Sequence, residues 1–346
     1  MTQDQYLQEI IASHFDPKWG APYWLETRAT LPFDPVRDIK TLSDLMRFPP
    51  FPPSVLRERP IEAMIPKAYH DSLAGFVTAE TGGATGVPQS TAYHPADFHD
   101  AFVVPFHAAA KLLAFPKDRH WLYIGPSGPH VIGKAARACA RAMDSLDPFT
   151  VDFDPRWVRK LAKGSLGHTR YLEHVLEQAQ RVLNTQHIGV LFSTPPVLEV
   201  LGTRLSREVR EEITGIHLGG MAASDSFWEQ LTAAWFPNAV ALSGYGNSLA
   251  GVCPQITPLV DGAPVYVPHG QRLILDVMEP DERGRGRVCF HRLDRACFLP
   301  HVVEGDEAEG VGHIAAEALN AGFHPLGIRD PRPMEQQRET RAGGLY

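Results

Sequence analysis

Two short stretches of the chain carry residue types able to do chemistry. The first, residues 78–90 (TAETGGATGVPQS), places three glycines and three threonines in thirteen positions. After a strand, such a loop can present backbone N–H groups and hydroxyls to phosphate oxygens. It lacks the lysine that ends a Walker A loop and does not follow the GxGxxG spacing, so a plain glycine-rich turn is an equal reading of it alone. The second stretch, residues 243–251 (SGYGNSLAG), contains GNSLA, a loose form of the serine-hydrolase nucleophile elbow with Ser248 as nucleophile. An elbow must run straight into a helix. Here GVCPQITP follows, and Pro254 and Pro258 bar a helix of useful length.

Histidines and cysteines add weaker signals. His130, in GPSGPH after an apolar run, suits a general base for an amine or thiol, or equally a hydrogen-bonded wall of an acyl pocket. His217 lies inside an apolar strand pattern and reads as a core histidine. Cys253, His269, Cys289, His291 and Cys297 share a region but show no CxxC or HxxxH spacing, so the cysteines read as small hydrophobes and no metal site is expected.

The elements that position these residues follow from apolar patterning. Of the 346 residues 44% are hydrophobic, enough for a sizeable core. A net charge of −7 with no basic block argues against nucleic acid and anionic membrane surfaces as partners. No apolar run reaches membrane-spanning length, the N-terminus does not read as a signal peptide, and four cysteines make no disulfide framework; the expected location is cytoplasmic. Strand patterns at AGFVTA, HWLYIG, HIGVLFS, GIHL and NAVALSGYG alternate with helical ones, predicting an α/β fold with a mostly parallel sheet. The segment after Pro95 reads as a helix interrupted at Pro105, and DPRW (154–157) as a helix start without chemistry. FPPFPPSVLRERP (48–60) predicts an extended drape over the surface. Beyond Gly251 the pattern changes to short strands between turn clusters. The expected division is an α/β body over about 1–262 and a β-rich, barrel-like subdomain over about 263–325.

Taken in order, these segments resemble the adenylate-forming superfamily of acyl- and aryl-CoA ligases, its phenylacetate–CoA ligase-like branch in particular. TGGATGVP resembles the phosphate loop, followed by the branch's aromatic residue and aspartate at Tyr93 and Asp97. GPSGPHVIGKAA resembles the acyl-pocket segment, HLGGMAASDSFWEQL the stretch over adenine, SGYGNS the YGxT/S motif, and FLPHVVEGDEA the RxRxGD segment. The resemblance runs from about Phe76 to Asp306 and implies the large domain of that fold over residues 1–330. It implies that Thr81, Gly82, Gly83, Thr85 and Gly86 cradle the β- and γ-phosphates of ATP. Gly219, Gly220, Tyr245, Gly246 and Asn247 would flank the adenine, Ser248 the α-phosphate, and Asp306 the ribose. It further implies ATP and Mg²⁺ as cofactors, a carboxylic acid of aryl or hydrophobic type as substrate, and CoA, an amine or a carrier protein as acceptor. The apolar, proline-rich N-terminal arm is compatible with a homodimer.

Departures from the pattern share a direction. Leu249 stands where the family's acidic Mg²⁺ ligand belongs, Met221 where an acidic residue follows the glycine pair, and His301 to Val303 where an arginine is usual. Residues 331–346 resemble the hinge to a small lysine-bearing lid, which does not follow. The expectation is an activity weakened in ATP use, or one acting on an acyl group already activated as an adenylate or thioester. A non-catalytic acyl- or nucleotide-binding protein is the rival from another class.

Overall fold

The computed structural model describes residues 1–82, 87–257 and 263–334. Among the described residues the strands are β1 (Val77–Glu80), β2 (Ser90–Tyr93), β3 (His120–Gly125), β4 (Phe149–Asp152), β5 (Ile188–Ser193), β6 (Gly215–Leu218), β7 (Val240–Asn247), β8 (Gly251–Pro254), β9 (Val265–Tyr266), β10 (Leu273–Met278), β11 (Arg285–Leu293), β12 (Phe298–Val311) and β13 (Gly327–Pro333).

The central sheet runs β4-β3-β5-β6-β7-β8, with β4 to β7 parallel and β8 turned back against β7. Its middle strands are buried on both faces. Leu122, Ile124, Leu191 and Ile216 pack with the helices Leu166–Thr185 and Pro195–Arg204. On the opposite face, Trp121, Tyr123, Val190 and Phe192 meet the helices Val104–Leu112 and Val131–Ala142. That is the apolar-on-both-sides pattern of parallel strands covered by crossover helices. The chain places β4 on one side of β3 and β5 on the other, so strand order reverses between β3 and β5. In open α/β sheets the crevice outside the carboxyl ends of strands at such a reversal is where ligands bind.

A second sheet, β10-β11-β12-β13-β9, is antiparallel throughout, and β1 and β2 form a separate hairpin. The expected short strand around CFLPHVV proves to be part of a fourteen-residue strand, β12, with irregular pairing to both neighbours. Its bulges let a strand this long follow the twist of the sheet.

Of the proline-rich segment 48–60 only Val55–Glu58 is helical, with Phe48, Arg59 and Pro60 in extended backbone, whereas the chain ahead of it is not extended. It folds into short helical turns, with Asp34 capping Pro35–Asp38 and Thr41 with Asp44 closing a capping box on Leu42–Arg47. Prolines in first turns lack an N–H that would go unused there anyway. These turns present Phe15, Trp24 and Phe48 to Phe298 of β12, while Phe51 N–H donates to His301 and His301 Nδ1 meets the Phe48 carbonyl at 2.7 Å. The interruption before Pro105 takes the form of a wide helical turn over His99–Val103, as a missing proline N–H leads one to expect. Among the described residues no helix is long and apolar enough to cross a membrane.

One buried ionic cluster joins these parts. Asp294 accepts from Arg272 at 2.6 and 3.0 Å and from Arg292 at 2.6 Å, and neither Arg292 nor Asp294 is exposed. Arg292 also donates to Thr91 Oγ1 and the Ala92 carbonyl and stacks on Tyr93 at 3.8 Å, while Arg272 donates to the Ala250 carbonyl. Burial pushes the Asp294 carboxyl up, but the two guanidiniums outweigh it and hold it below its usual range. Asp294→Ala would strand two buried cations. We expect a loss of at least about 3–5 kcal/mol of folding free energy in urea titrations, and a cost under about 1 kcal/mol would show that the cluster is not a keystone.

Candidate functional site

Glu80 closes the hairpin at the edge of the β3–β5 crevice. Its N–H donates to Pro129 in the loop after β3, and the next residue, Thr81, pairs with Gln89 through both its N–H and its hydroxyl at 3.0 Å. These bonds fix the two stems of the glycine loop. Thr81 and Gly82 are thereby placed at its root, whereas Gly83, Thr85 and Gly86 lie outside the described residues.

Two arginines face that root. Asp154 caps the short helix Pro155–Val158, as its sequence predicts. Arg156 then donates to the Glu80 carboxylate at 2.7 Å and to the Thr81 carbonyl at 3.1 Å. Arg159 donates to the Gly82 carbonyl. Reading DPRW as a helix start alone missed these groups. The available signal was two arginines three apart, hence on one helix face, directly beyond a strand that ends at the crevice.

The β7–β8 hairpin supplies the opposite wall. A Cβ on Gly246 would come within 1.9 Å of the Gly251 carbonyl, so the two arms meet more closely than any side chain allows. Gly251, with φ of +92°, is itself in the region that favours glycine. In the turn, Asn247 Oδ1 accepts from the N–H groups of Leu249 and Ala250, and Asn247 Nδ2 donates to Glu304 at 2.5 Å. Ser248 donates its hydroxyl to the Glu80 carbonyl at 2.8 Å, and Tyr93 donates to the carbonyls of Ser248 and Leu249. Tyr245 donates to Asp306 Oδ2 at 3.1 Å. Burial, then Glu304 and Asp306, drives its phenol pKa well above the ordinary value, so it remains a donor. A strand rather than a helix follows Ser248, and its proton points to a carbonyl, not to a histidine. The elbow reading has no geometry here.

Gly219 and Gly220 leave the carboxyl end of β6, where Leu218 pairs with Ser243 of β7, and Gly220 has φ of +84°. The structure thus brings Thr81, Gly82, Tyr245, Asn247, Ser248 and Asp306 into one bonded group, with the glycine pair on the neighbouring strand end. Asp97 does not join them. It is buried against Arg295 and the Ala296 N–H, with its pKa raised first by burial and then by Asp294.

His130 is nearly buried where the loop after β3 enters the helix Val131–Ala142. Burial first and Arg156 second hold it below the usual imidazole pKa. Beside the same helix is a cavity of about 30 Å³ lined by Phe102, Phe106, Ile132, Phe192, His217 and Val252 among others. That is room for about two waters, not for an aromatic ring with the side chains as they stand. His217 donates Nδ1–H to the Leu242 carbonyl at 2.8 Å, and burial lowers its pKa to about 4, as befits a core histidine.

The residues present do not fit a Mg²⁺ ion at the position the resemblance implies. Leu249 is 5% exposed, packs into the core and carries no ligand atom. His301, in the place of the expected arginine, is spent on the N-terminal segment. The four cysteines are buried free thiols; burial raises Cys253 and Cys289 to about 12, and His269 and His291 engage backbone groups. Among the described residues no three potential metal ligands cluster.

No protein-family profile and no curated protein sequence matches the chain. Solved structures do. An open conformation of 2-hydroxyisobutyryl-CoA ligase bound to 2-HIB-AMP and CoA matches with a TM-score of 0.65 at 13% identity, covering 95% of this chain and 72% of that one. The same ligase in its thioesterification state gives 0.64 at 14%, covering 96% and 66%. In its postadenylation state with 2-HIB-AMP it gives 0.63 at 14%, covering 96% and 65%. The chain therefore spans roughly two thirds of these neighbours and has the large-domain fold of adenylate-forming enzymes.

Two outcomes follow from the geometry. His217 and His14 titrate near about 4 in the fold against 6.5 for a free imidazole. The unfolded chain then binds more protons between those values, so stability is full above pH 6.5 and is lost as pH falls toward 4. His217→Gln should flatten that dependence by up to about 1.4 kcal/mol per pH unit in urea titrations across the window; an unchanged slope would contradict the assignment. Gly246→Ala should lower the melting temperature by several degrees or abolish folding, and an unshifted melt would mean the hairpin arms can part.

Proposed function

We propose that the protein binds and handles a carboxylic acid activated as an acyl-adenylate or acyl-thioester at the carboxyl ends of β3, β5, β6 and β7. The observation that carries this reading is the Ser248–Glu80 hydrogen bond. It locks the root of the glycine loop to the β7–β8 turn, so the segments expected to meet a phosphate chain and a nucleoside are held side by side. In adenylation a carboxylate oxygen attacks the α-phosphorus of ATP, the bond to the β-phosphate oxygen breaks, and pyrophosphate leaves. The protein's part is to hold the reactants in line and offset charge.

Gly219 and Gly220 leave a face without side chains for the adenine, and Tyr245 closes its other side. Asp306, held by the Tyr245 hydroxyl, offers carboxylate oxygens to ribose hydroxyls. Ser248 is a positioning residue, since its proton is committed to Glu80. His130, its pKa held below the usual imidazole value, can accept a proton from an incoming thiol or amine. The small apolar cavity beside the helix Val131–Ala142 suits a short aliphatic acyl chain better than an aryl group. CoA fits the acceptor role by analogy with the neighbours, two of which were solved with it. No step is routed through Mg²⁺, because Leu249 cannot ligate it.

That same leucine favours a second reading, acyl transfer from a preformed thioester or adenylate without ATP. A non-hydrolysable acyl-adenylate carrying a short acyl chain should bind with micromolar affinity by calorimetry. Asp306→Asn should weaken it about tenfold, the equivalent of about 1.4 kcal/mol. Pyrophosphate release from ATP with short-chain acids should be slow or absent. Rapid Mg²⁺-dependent release would overturn the weakened-ATP reading, and no binding of the analogue at millimolar concentration would overturn the proposal itself.

A further inference from the structure

The root of the glycine loop sets two arginines, Arg156 and Arg159, beside two carboxylates, Glu80 and Asp154, and among the described residues only Arg156 is drawn into an ion pair. Glu80 is matched by Arg156, and the Asp154 carboxylate accepts from the Arg156 and Trp157 N–H groups as a helix cap. Arg156 Nε is buried without an acceptor. Arg159 is partly buried, its Nη2 donates to the Gly82 carbonyl, and among the described residues no carboxylate lies within ion-pair distance of it. Burial first and Arg156 second press its pKa down and outweigh the upward pull of Asp154, and His130 feels the same two arginines against Asp154 and Glu80. A partly buried guanidinium with no carboxylate in direct contact is costly and is relieved by an anion. Guanidinium forks match phosphate oxygens two at a time.

We infer that Arg156 and Arg159 form a clamp for the phosphate groups of a diphosphate or triphosphate beside Thr81 and Gly82. The clamp supplies from the turn after β4 the positive charge that Leu249 and the His301 to Val303 segment do not. Arg159 has the free guanidinium edge, and Arg156 joins by exchanging part of its contact with Glu80. The assignment to a nucleotide rests on the function proposed above, whereas the clamp itself does not. It also gives the chain a route to phosphate recognition independent of a divalent ion.

Calorimetry with inorganic pyrophosphate, AMP and ATP in metal-free, EDTA-containing buffer tests this directly. The intact chain should bind pyrophosphate and ATP, and Arg159→Gln should weaken both about tenfold while leaving AMP affinity within twofold. Arg207→Gln, which removes an exposed arginine paired with Glu211, should change nothing. If Arg159→Gln does not fold by circular dichroism, Arg159→Lys keeps the charge but loses the fork and should still cost about threefold. No binding of pyrophosphate at millimolar concentration, or equal affinity in the Arg159 variants, overturns the clamp. Acyl-adenylate binding with pyrophosphate affinity indifferent to Arg159 removes the clamp and leaves the proposed function standing. Arg159-dependent pyrophosphate binding without any acyl-adenylate binding does the reverse.

Discussion

Asp294 holds two arginine side chains in a place shielded from solvent, and the parts of the molecule are arranged around that fact. Each guanidinium has donors left after meeting the carboxylate, and a buried cation cannot leave them idle. Arg292 spends its own on β2, and Arg272 on the carbonyl that ends the β7–β8 turn. The antiparallel sheet, the hairpin bearing the glycine loop and the edge of the parallel sheet are thus tied to a single carboxylate. His14 adds the N-terminal helix through the Asp294 carbonyl.

Tyr93 transmits this constraint to the site. Its ring lies against Arg292 and its hydroxyl reaches the carbonyls of Ser248 and Leu249. Glu80, at the other end of the hairpin, engages three different segments with its N–H, its carbonyl and its carboxylate. Between these two residues the hairpin is held at both ends, by bonds that do not involve the loop itself. The two stems of the loop are therefore fixed by the scaffold itself, as expected where binding segments are carried on rigid elements.

Much of this was legible in the sequence, for physical reasons that differ from element to element. The strands β3, β5 and β6 are fully buried and so appear as unbroken apolar runs between turn residues. Ordered short motifs indicated the fold and grouped Tyr245, Ser248 and Asp306, because backbone-binding turns leave local glycine signatures. What escaped was tertiary. Arg156 and Arg159 are ordinary helix residues until Glu80 and Gly82 are placed opposite them. His301 looks like a lost arginine until Phe48 and Phe51 are seen to use it. The helical turn Val55–Glu58 inside the proline-rich segment was hidden because proline marks the start of a helix as readily as an extended segment, and Ser54 makes no side-chain cap there to decide between them.

The N-terminal segment has a consequence for how the chain comes into being. Tyr6 donates to the Leu293 carbonyl across 287 residues and Trp24 to Phe298 across 274, and their apolar neighbours share a core with β10 to β12. Synthesised well before β10 to β12, this segment must wait for the intervening polypeptide before its partner surface exists. Contacts this distant carry a large loop-closure cost before they return any stability, which slows folding and prolongs the exposure of apolar surface. The aromatic side chains that complete the native core are therefore, during synthesis, the part of the chain most in need of a chaperone.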